Sequence, residues 1–159
     1  DVSIQAQIIN LLERLRVELG LTYIFIGHDL SVVRHLCNRV AVMYLGKVME
    51  SARSEPLFAN PLHPYTQALI DAVPIPDPCV ETERSIEPLQ GEVPNPTDPP
   101  SGCAFHTRCP FAVERCRSQV PPLEALNPDQ AAACWLAGSD INFSSHLPTP
   151  KAGEHNVPS

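Results

Sequence analysis

Apolar positions in the first fifty residues repeat with the periods of a helix and a strand in turn. Between residues 3 and 19 the spacing predicts an amphipathic helix with one buried stripe, formed by Ile4, Ile8, Leu11, Leu12, Leu15 and Leu19. Gly20 follows as a stop signal for this helix. Residues 22–26 are β-branched or aromatic on both faces, which is typical of a buried parallel strand.

The alternation continues with a helix over 31–37 and a strand over 39–44. A turn at Gly46 then leads into a short edge strand over 47–50. Helices and strands in alternation indicate an α/β unit with a parallel sheet. About fifty residues cannot cover both faces of such a sheet, so we expect this part of the sequence to belong to a larger domain.

Composition changes twice along the rest of the chain. Two short helices are predicted at 55–60 and 64–73, and residues 74–100 are rich enough in proline to indicate a semi-extended linker. Residues 101–137 contain four of the six cysteines and are predicted to form a small Cys-rich module. Residues 138–159 are polar, and we expect them to be a disordered tail.

Charge and hydropathy exclude two classes of protein. The net charge of -7 argues against a nucleic-acid partner, because nucleic-acid-binding domains normally carry a basic patch. No apolar run reaches the length of about 18 residues that a membrane span needs, and no signal-peptide pattern is present. If the protein works at a membrane, a partner is therefore expected to hold it there.

His28 is the first candidate for chemistry. It lies in the sequence FIGHDL, after the predicted strand 22–26 and before the next helix. Ligands of open α/β sheets bind at the carboxyl ends of the strands, where an imidazole can donate to a phosphate oxygen or hold an attacking water. From position alone, an ordinary polar loop residue is the simpler interpretation. Asp29 is predicted to cap the following helix.

The segment from DVSIQAQ to VMYLGKVME resembles the second half of an ABC-transporter nucleotide-binding domain. HDL matches the switch-histidine loop of that family, and Asp1 matches the last residue of its D-loop. The resemblance implies that His28 is catalytic, contacting the γ-phosphate of ATP with its Mg²⁺ and positioning the hydrolytic water. It also implies that Asp1 and His28 belong to the nucleotide-binding dimer interface, where Asp1 helps to couple the two ATP sites. Gly27 departs from the Ser, Thr or Ala that is usual there.

Two later segments narrow the resemblance to importers of oligopeptides, dipeptides and nickel. PLHPYTQAL at residues 61–69 is similar to the segment that follows the nucleotide-binding domain in that subfamily. GCAFHTRCP at residues 102–110, followed by Cys116, resembles its C-terminal extension. Within the first segment we expect His63, Tyr65 and Thr66 to cap and pack a short helix rather than to touch a ligand.

The glycine-rich Walker A loop, the Gln loop, the signature loop and the Walker B carboxylates of that family are absent from the sequence. The sequence is therefore expected to be a fragment that lacks the N-terminal part of the domain. Without the phosphate loop, we expect it to be inactive as an ATPase when alone.

Three interpretations compete for the cysteines of the extension, which are Cys103, Cys109, Cys116 and Cys134. Disulfides are disfavoured by the reducing cytosol that an ABC ATPase faces. Zinc is possible, although its sites favour closely paired cysteines that are missing here. A [4Fe–4S] cluster suits the spread spacing and the Cys-Pro step, and the resembled subfamily carries one in this extension. The cluster is the favoured prediction, with zinc as the alternative.

These observations predict a partial ABC-type (P-loop NTPase) α/β nucleotide-binding domain over 1–73, followed by the linker, the module and the tail. The implied function is that of an ATP-binding subunit coupling ATP hydrolysis to oligopeptide or dipeptide uptake. Expected partners are a second ATPase subunit (in a homo- or heterodimer), transmembrane permease subunits and, through them, an extracytoplasmic peptide-binding protein. The expected location is the cytoplasmic face of the plasma membrane. The alternatives are an importer ATPase for nickel or another small solute, and a non-enzymatic metal-binding module.

Overall fold

The structure is a computed structural model that describes residues 2–73, Leu89 and residues 91–138. Its helices are α1 (Val2–Leu19), α2 (Leu30–Leu36), α3 (Ser54–Ala59), α4 (Pro64–Asp71) and α5 (Glu114–Ser118). Its strands are β1 (Arg39–Tyr44), β2 (Lys47–Arg53), β3 (Glu124–Asn127) and β4 (Gln130–Ala132). The predicted mixed α/β class is confirmed. Most of the predicted linker and all but the first residue of the predicted tail lie outside the described residues.

Helix α1 confirms the first predicted helix, but the predicted burial of its apolar stripe is wrong. Ile4 is 56% exposed and Ile8 is 53% exposed, while Leu12 and Leu15 are only half-buried. Helix α1 packs against α2, which has 7 residues against the 18 of α1. Such a short partner cannot cover the whole stripe.

Among the described helices, none is long and apolar enough to cross a membrane.

The predicted buried strand at residues 22–26 is also wrong. These residues belong to no strand, and Ile24 and Ile26 are 94% and 93% exposed. A buried parallel strand needs neighbouring strands to pair its backbone groups and layers on both faces to cover its side chains. The four strands in the described part of the chain pair with one another and not with this segment.

Strands β1 and β2 form an antiparallel hairpin, so the predicted parallel sheet is wrong for the described strands. The turn between them consists of Leu45 (φ 46°) and Gly46 (φ 75°). Two consecutive residues with positive φ form the tight hairpin turn whose twist matches the flanking strands. The turn predicted at Gly46 is confirmed, and β2 continues to Arg53, three residues beyond the predicted end.

The four strands form one sheet in the order β1-β2-β4-β3, so strands from residues 39–53 and 124–132 share it. Strand β4 pairs antiparallel with β2, with Glu50 opposite Ala132. The side-chain amide of Gln130 in β4 also donates to the Asn60 carbonyl at 2.9 Å, at the end of α3. The segment that bears the later cysteines is therefore packed onto the first part of the chain by backbone pairing as well as by side chains.

An aromatic cluster links strand β1 to later parts of the chain. Phe105, from the loop after residue 100, is 1% exposed and lies 5.4 Å from the Tyr44 ring and 5.2 Å from the Tyr65 ring. Cys103 and Cys116 are buried in the same hydrophobic cluster. Side chains from β1, α4 and the cysteine-bearing loop thus form a common core.

Candidate functional site

His28 lies in a loop that ends at helix α2. Its side chain is exposed, and the carboxylate of the next residue, Asp29, accepts hydrogen bonds from the N–H groups of Ser31 (2.9 Å) and Val32 (3.2 Å). The predicted capping role of Asp29 is confirmed. This cap fixes the backbone directly after His28 while the imidazole stays accessible.

The loop borders an open cavity of about 1290 Å³. Its walls include the loop, helix α2, strand β1 and two side chains of α4, Tyr65 and Leu69. His28 lines the cavity together with Arg16 and Arg39, whereas none of the four predicted cysteine ligands does. A bound triphosphate normally needs a series of backbone N–H donors in addition to cationic side chains. Among the described lining residues, Arg16, His28 and Arg39 can supply the side-chain donors of such a site. Asp1, the other predicted interface residue, lies outside the described residues.

The four predicted cysteine ligands come from three segments and approach one another. Cys103 and Cys109 lie in the loop after residue 100, Cys116 lies in α5, and Cys134 follows β4. The Cys103 N–H donates to the Cys116 carbonyl at 2.8 Å. The Cys109 thiol interacts electrostatically with the other three, and none of the four forms a disulfide. The structure therefore brings these cysteines into one neighbourhood, separate from His28.

Backbone N–H groups are directed at three of the four sulfurs. Each of these sulfurs accepts a hydrogen bond from the N–H group two residues further along the chain. The pairs, with the sulfur first, are Cys103 with Phe105, Cys109 with Phe111, and Cys134 with Leu136. Such hydrogen bonds favour the thiolate, which is the form of cysteine that binds metals.

Burial acts on the same thiols in the opposite direction. It raises the pKa of Cys109 to about 12, and it is also the largest cause of the raised pKa of Cys103 and of Cys134. A thiol with such a raised pKa keeps its proton near neutral pH unless a cation takes the proton's place. Three of the cysteines therefore combine donors that suit a thiolate with surroundings that penalise an unpaired one.

The chemistry of these ligands fits a thiolate-bound metal group, but their positions do not form a site for an ion. Four cysteines suit both tetrahedral zinc and an iron–sulfur cluster. Within residues 2–73, 89 and 91–138, no group of three or more His, Cys, Asp or Glu side chains is arranged to hold a metal ion. The predicted [4Fe–4S] cluster and its zinc alternative thus have no direct support, and ligation by Cys103, Cys109, Cys116 and Cys134 stays a prediction.

A buried carboxylate joins β2 to the start of α4. Glu50 is fully buried, and its two carboxylate oxygens accept from the N–H groups of Leu62 and His63, each at 2.9 Å. The pKa of Glu50 is raised, because the effect of burial exceeds the opposing effect of these hydrogen bonds and of the nearby Thr66 hydroxyl. Thr66 Oγ1 lacks a hydrogen bond of regular geometry within the described part of the chain, so the two N–H groups are the main anchors. We call Glu50, Leu62 and His63 the Glu50–His63 junction.

The side chains of the HPYT sequence have the structural roles that were predicted for them. His63 is the N-cap of α4, where its Nδ1 accepts from the Tyr65 N–H at 3.0 Å. The Tyr65 ring packs against Tyr44 at 4.9 Å, and Thr66 is buried. Sequence reasoning missed Glu50, which looked like an ordinary charged residue at the end of an edge strand. A pattern in the sequence could not have found it, because its partners lie twelve and thirteen residues away.

We expect Glu50→Ala to destabilise the chain by about 2–3 kcal/mol, because two buried N–H groups lose their acceptors and a buried side chain is truncated. Urea unfolding followed by circular dichroism measures this change in the free energy of unfolding. Glu124→Ala is the matched control, since the side chain of Glu124 is exposed on strand β3 and its loss is expected to change stability by less than about 0.5 kcal/mol. Equal midpoints for the two variants would contradict the anchoring role of Glu50.

Residues 49–116 match the family described as the oligopeptide/dipeptide transporter, C-terminal region. A Sinorhizobium fredii protein, named y4tS and described as a probable peptide ABC transporter ATP-binding protein, is 53% identical over 159 residues, which are 100% of this chain and 41% of that protein. The oligopeptide transport ATP-binding protein AppF of Bacillus subtilis is 54% identical over 136 residues, which are 86% of this chain and 41% of AppF. The chain thus spans about two fifths of the length of these curated relatives.

Proposed function

The chain belongs to the oligopeptide/dipeptide transporter family, whose C-terminal region its residues 49–116 match, and we propose that it is part of an ATPase subunit that drives peptide uptake. The observation that carries this proposal is the 53% identity to a peptide ABC transporter ATP-binding protein along the whole chain. ATP with Mg²⁺ is the proposed substrate of the complete subunit. Its proposed partners are a second ATPase subunit, the permease subunits and, through them, a peptide-binding protein, at the cytoplasmic face of the membrane.

In this proposal the His28 side chain contacts the γ-phosphate of ATP. Its imidazole is exposed at the edge of the cavity, and the Asp29 cap holds the backbone next to it. From there it can donate to a phosphate oxygen and orient the attacking water. Asp1 is proposed to act at the dimer interface, in accordance with its match to the D-loop.

The exposure of residues 22–26 also supports this proposal. Its apolar side chains include Ile24 and Ile26, which no described residue covers. Burying two such side chains contributes about 1.5–3 kcal/mol each. We propose that in a complete P-loop domain this segment becomes a strand of the central sheet, with α1 and α2 packed against that sheet, and that residues 1–73 are the carboxyl-terminal portion of the domain.

We further propose that the four cysteines bind a [4Fe–4S] cluster within a Cys-rich module at residues 101–137, joined to the nucleotide-binding portion by the linker at 74–100. Three observations support it: the thiols lie in one neighbourhood, none forms a disulfide, and three sulfurs accept backbone N–H hydrogen bonds. The cluster is preferred to zinc on the sequence alone, because zinc sites favour closely paired cysteines whereas these four are spread along the chain. When bound, the cluster would replace the thiol protons and tie α5 and the segment after β4 to the loop.

The test of the transport function uses a complete subunit that carries this chain, assembled with its permease subunits in vesicles. We expect ATP-dependent accumulation of labelled di- and oligopeptides, and no accumulation when a non-hydrolysable ATP analogue replaces ATP. Accumulation of nickel without peptides would favour the alternative importer. ATP hydrolysis absent from the assembled complex would refute the ATPase function and favour a non-enzymatic module.

The cluster proposal predicts about four irons per chain and broad absorption at about 400 nm in protein purified without oxygen. Cys109→Ser is expected to lower the iron content at least several-fold, because the interactions of this thiol with the other three place it within the set. Cys37→Ser is the matched control, since Cys37 lies at the end of α2 and is expected to leave the iron unchanged. Stoichiometric zinc, or iron that survives Cys109→Ser, would contradict the assignment.

A further inference from the structure

His63 contacts three separate parts of the molecule, more than a helix cap requires. Its side chain is 1% exposed, and Nδ1 accepts the hydrogen bond from the N–H of Tyr65 in α4. Its ring lies 5.9 Å from the ring of Phe105, two residues after Cys103. Its imidazole also hydrogen-bonds to the backbone of Ala133, the residue directly before Cys134. One side chain thus reaches both cysteine-bearing segments.

The tautomer of this imidazole follows from its partners. Because Nδ1 accepts from a backbone N–H, the ring proton is on Nε2, and Nε2 is the donor toward the Ala133 carbonyl. Burial lowers the pKa of His63 to about 4, so the ring is neutral near pH 7 and keeps one acceptor and one donor. Because both of its nitrogens form hydrogen bonds, the neutral imidazole fixes the position of Ala133 relative to α4.

Ala133 is held from its other side by the sheet. Its N–H donates to the Met49 carbonyl at 2.8 Å, and the preceding Ala132 pairs with Glu50. Glu50 in turn accepts from the His63 N–H. The N–H of Ala133 is therefore fixed by β2 and its carbonyl by His63, so the direction in which the chain enters Cys134 is determined on both sides of Ala133.

We propose that His63 is a positioning residue for Cys134, and that it orients this thiol toward the other three cysteines. The proposal rests on the proposed role of the four cysteines as one ligand set, and it assigns to the HPY sequence a function beyond capping α4. The cap alone does not require a histidine, because Asn is among the strongest N-cap residues. Asn is too short to cap the helix and to reach Ala133 at the same time. A His63→Asn variant therefore keeps the capping role and loses the proposed positioning role.

The test compares His63→Asn and His63→Ala with the wild-type 159-residue chain in the reduced, metal-free state. Iodoacetamide alkylation of each cysteine is followed over time by mass spectrometry. We expect the alkylation rate of Cys134 to rise about tenfold in both variants, which is the ratio that the loss of one buried hydrogen bond produces. The rate at Cys37 is expected to stay unchanged, and His35→Asn, at an exposed histidine of α2, is expected to leave both rates unchanged.

Hydrogen exchange of the amides of α4 gives the second measurement. We expect His63→Asn to keep the protection of α4 while Cys134 becomes reactive, and this combination supports positioning. If His63→Asn restores the wild-type rate at Cys134, the histidine is only a helix cap and the proposal is overturned. If His63→Ala unfolds, the Asn variant still decides.

Iron reconstitution of the same proteins separates this inference from the cluster proposal. We expect His63→Asn to reduce the iron content, while His35→Asn leaves it at the wild-type value. A wild-type chain that takes up no iron would refute the cluster, yet a selective rise in Cys134 alkylation would still establish that His63 positions the thiol. Unchanged alkylation of Cys134 in His63→Asn would refute the positioning role whatever the iron content.

Discussion

His28→Ala is expected to lower the ATP turnover of a complete, assembled subunit by about 10²–10⁴-fold while changing nucleotide affinity only a few-fold. This range is typical for the loss of a positioned acid, base or water-orienting group. We expect only a small change in affinity because His28 contributes a single imidazole to the lining of the cavity. Single-turnover hydrolysis and nucleotide binding, measured separately, check the two parts.

Two variants of neighbouring residues separate chemistry from folding in this experiment. His35→Ala removes another exposed imidazole, seven residues further on, whose weak 3.9 Å contact with Glu13 has little effect on stability. Asp29→Ala removes the cap of α2, at a cost of about 1 kcal/mol, but keeps the histidine. We expect near-normal turnover for the first and a small loss for the second. Turnover within threefold of wild type in His28→Ala would show that the imidazole is only a loop residue.

The local elements were predictable because local signals determine them. The capping carboxylate of Asp29 and the apolar spacing of α1 depend on residues within a few positions, and both elements form where they were predicted. The turn at Gly46 is local too, but its consequence was missed. A two-residue turn with positive φ at both positions forces an antiparallel pair, and the alternation of helix and strand gave no indication of this.

Burial could not be predicted in the same way because it depends on what packs against each element. The sequence of residues 22–26 is that of a buried strand, but among the described strands none covers Ile24 or Ile26. The same argument applies to α1. The local sequence indicates which surface of a helix or strand can be buried. The elements that cover this surface come from distant positions or from other polypeptide segments.

In the candidate site, too, some features could be predicted from the sequence and others could not. Cys103, Cys109, Cys116 and Cys134 were recognised as a set from residue type, and the structure brings them into one neighbourhood. The Glu50–His63 junction was not recognised, because it links residues on β2 and α4 through backbone N–H groups, which have no signature in the sequence. Side-chain chemistry is visible in a sequence, whereas the long-range backbone contacts that hold it in place become visible only in the structure.

Gly102→Ala is expected to destabilise the cysteine-bearing loop by about 2–5 kcal/mol. Gly102 has a φ of 70°, which costs an alanine about 1–2 kcal/mol. A Cβ there would also overlap the Cys116 carbonyl oxygen and lie 2.7 Å from the carbonyl carbon of Arg117. Both neighbours are backbone atoms of α5 and cannot move aside without displacing the helix, which adds about 1–3 kcal/mol. The clash falls on the carbonyl that accepts from the Cys103 N–H, so the approach of Cys103 and Cys116 is expected to be lost.

The fluorescence of Trp135, the sole tryptophan, reports on this region during urea unfolding, because the residue follows Cys134 and its indole stacks against Arg115 of α5 at 3.4 Å. Gly91→Ala is the matched control. Gly91 has a φ of 82°, but a Cβ there would meet only ordinary contacts at 3.7 Å and beyond, so this variant is expected to lose about 1–2 kcal/mol from backbone strain alone. The difference between the two variants therefore measures the steric conflict with α5. If Gly102→Ala unfolds at the same urea concentration as Gly91→Ala, then α5 does not pack against the loop at Gly102. That result would contradict the 2.8 Å backbone hydrogen bond that brings Cys103 close to Cys116.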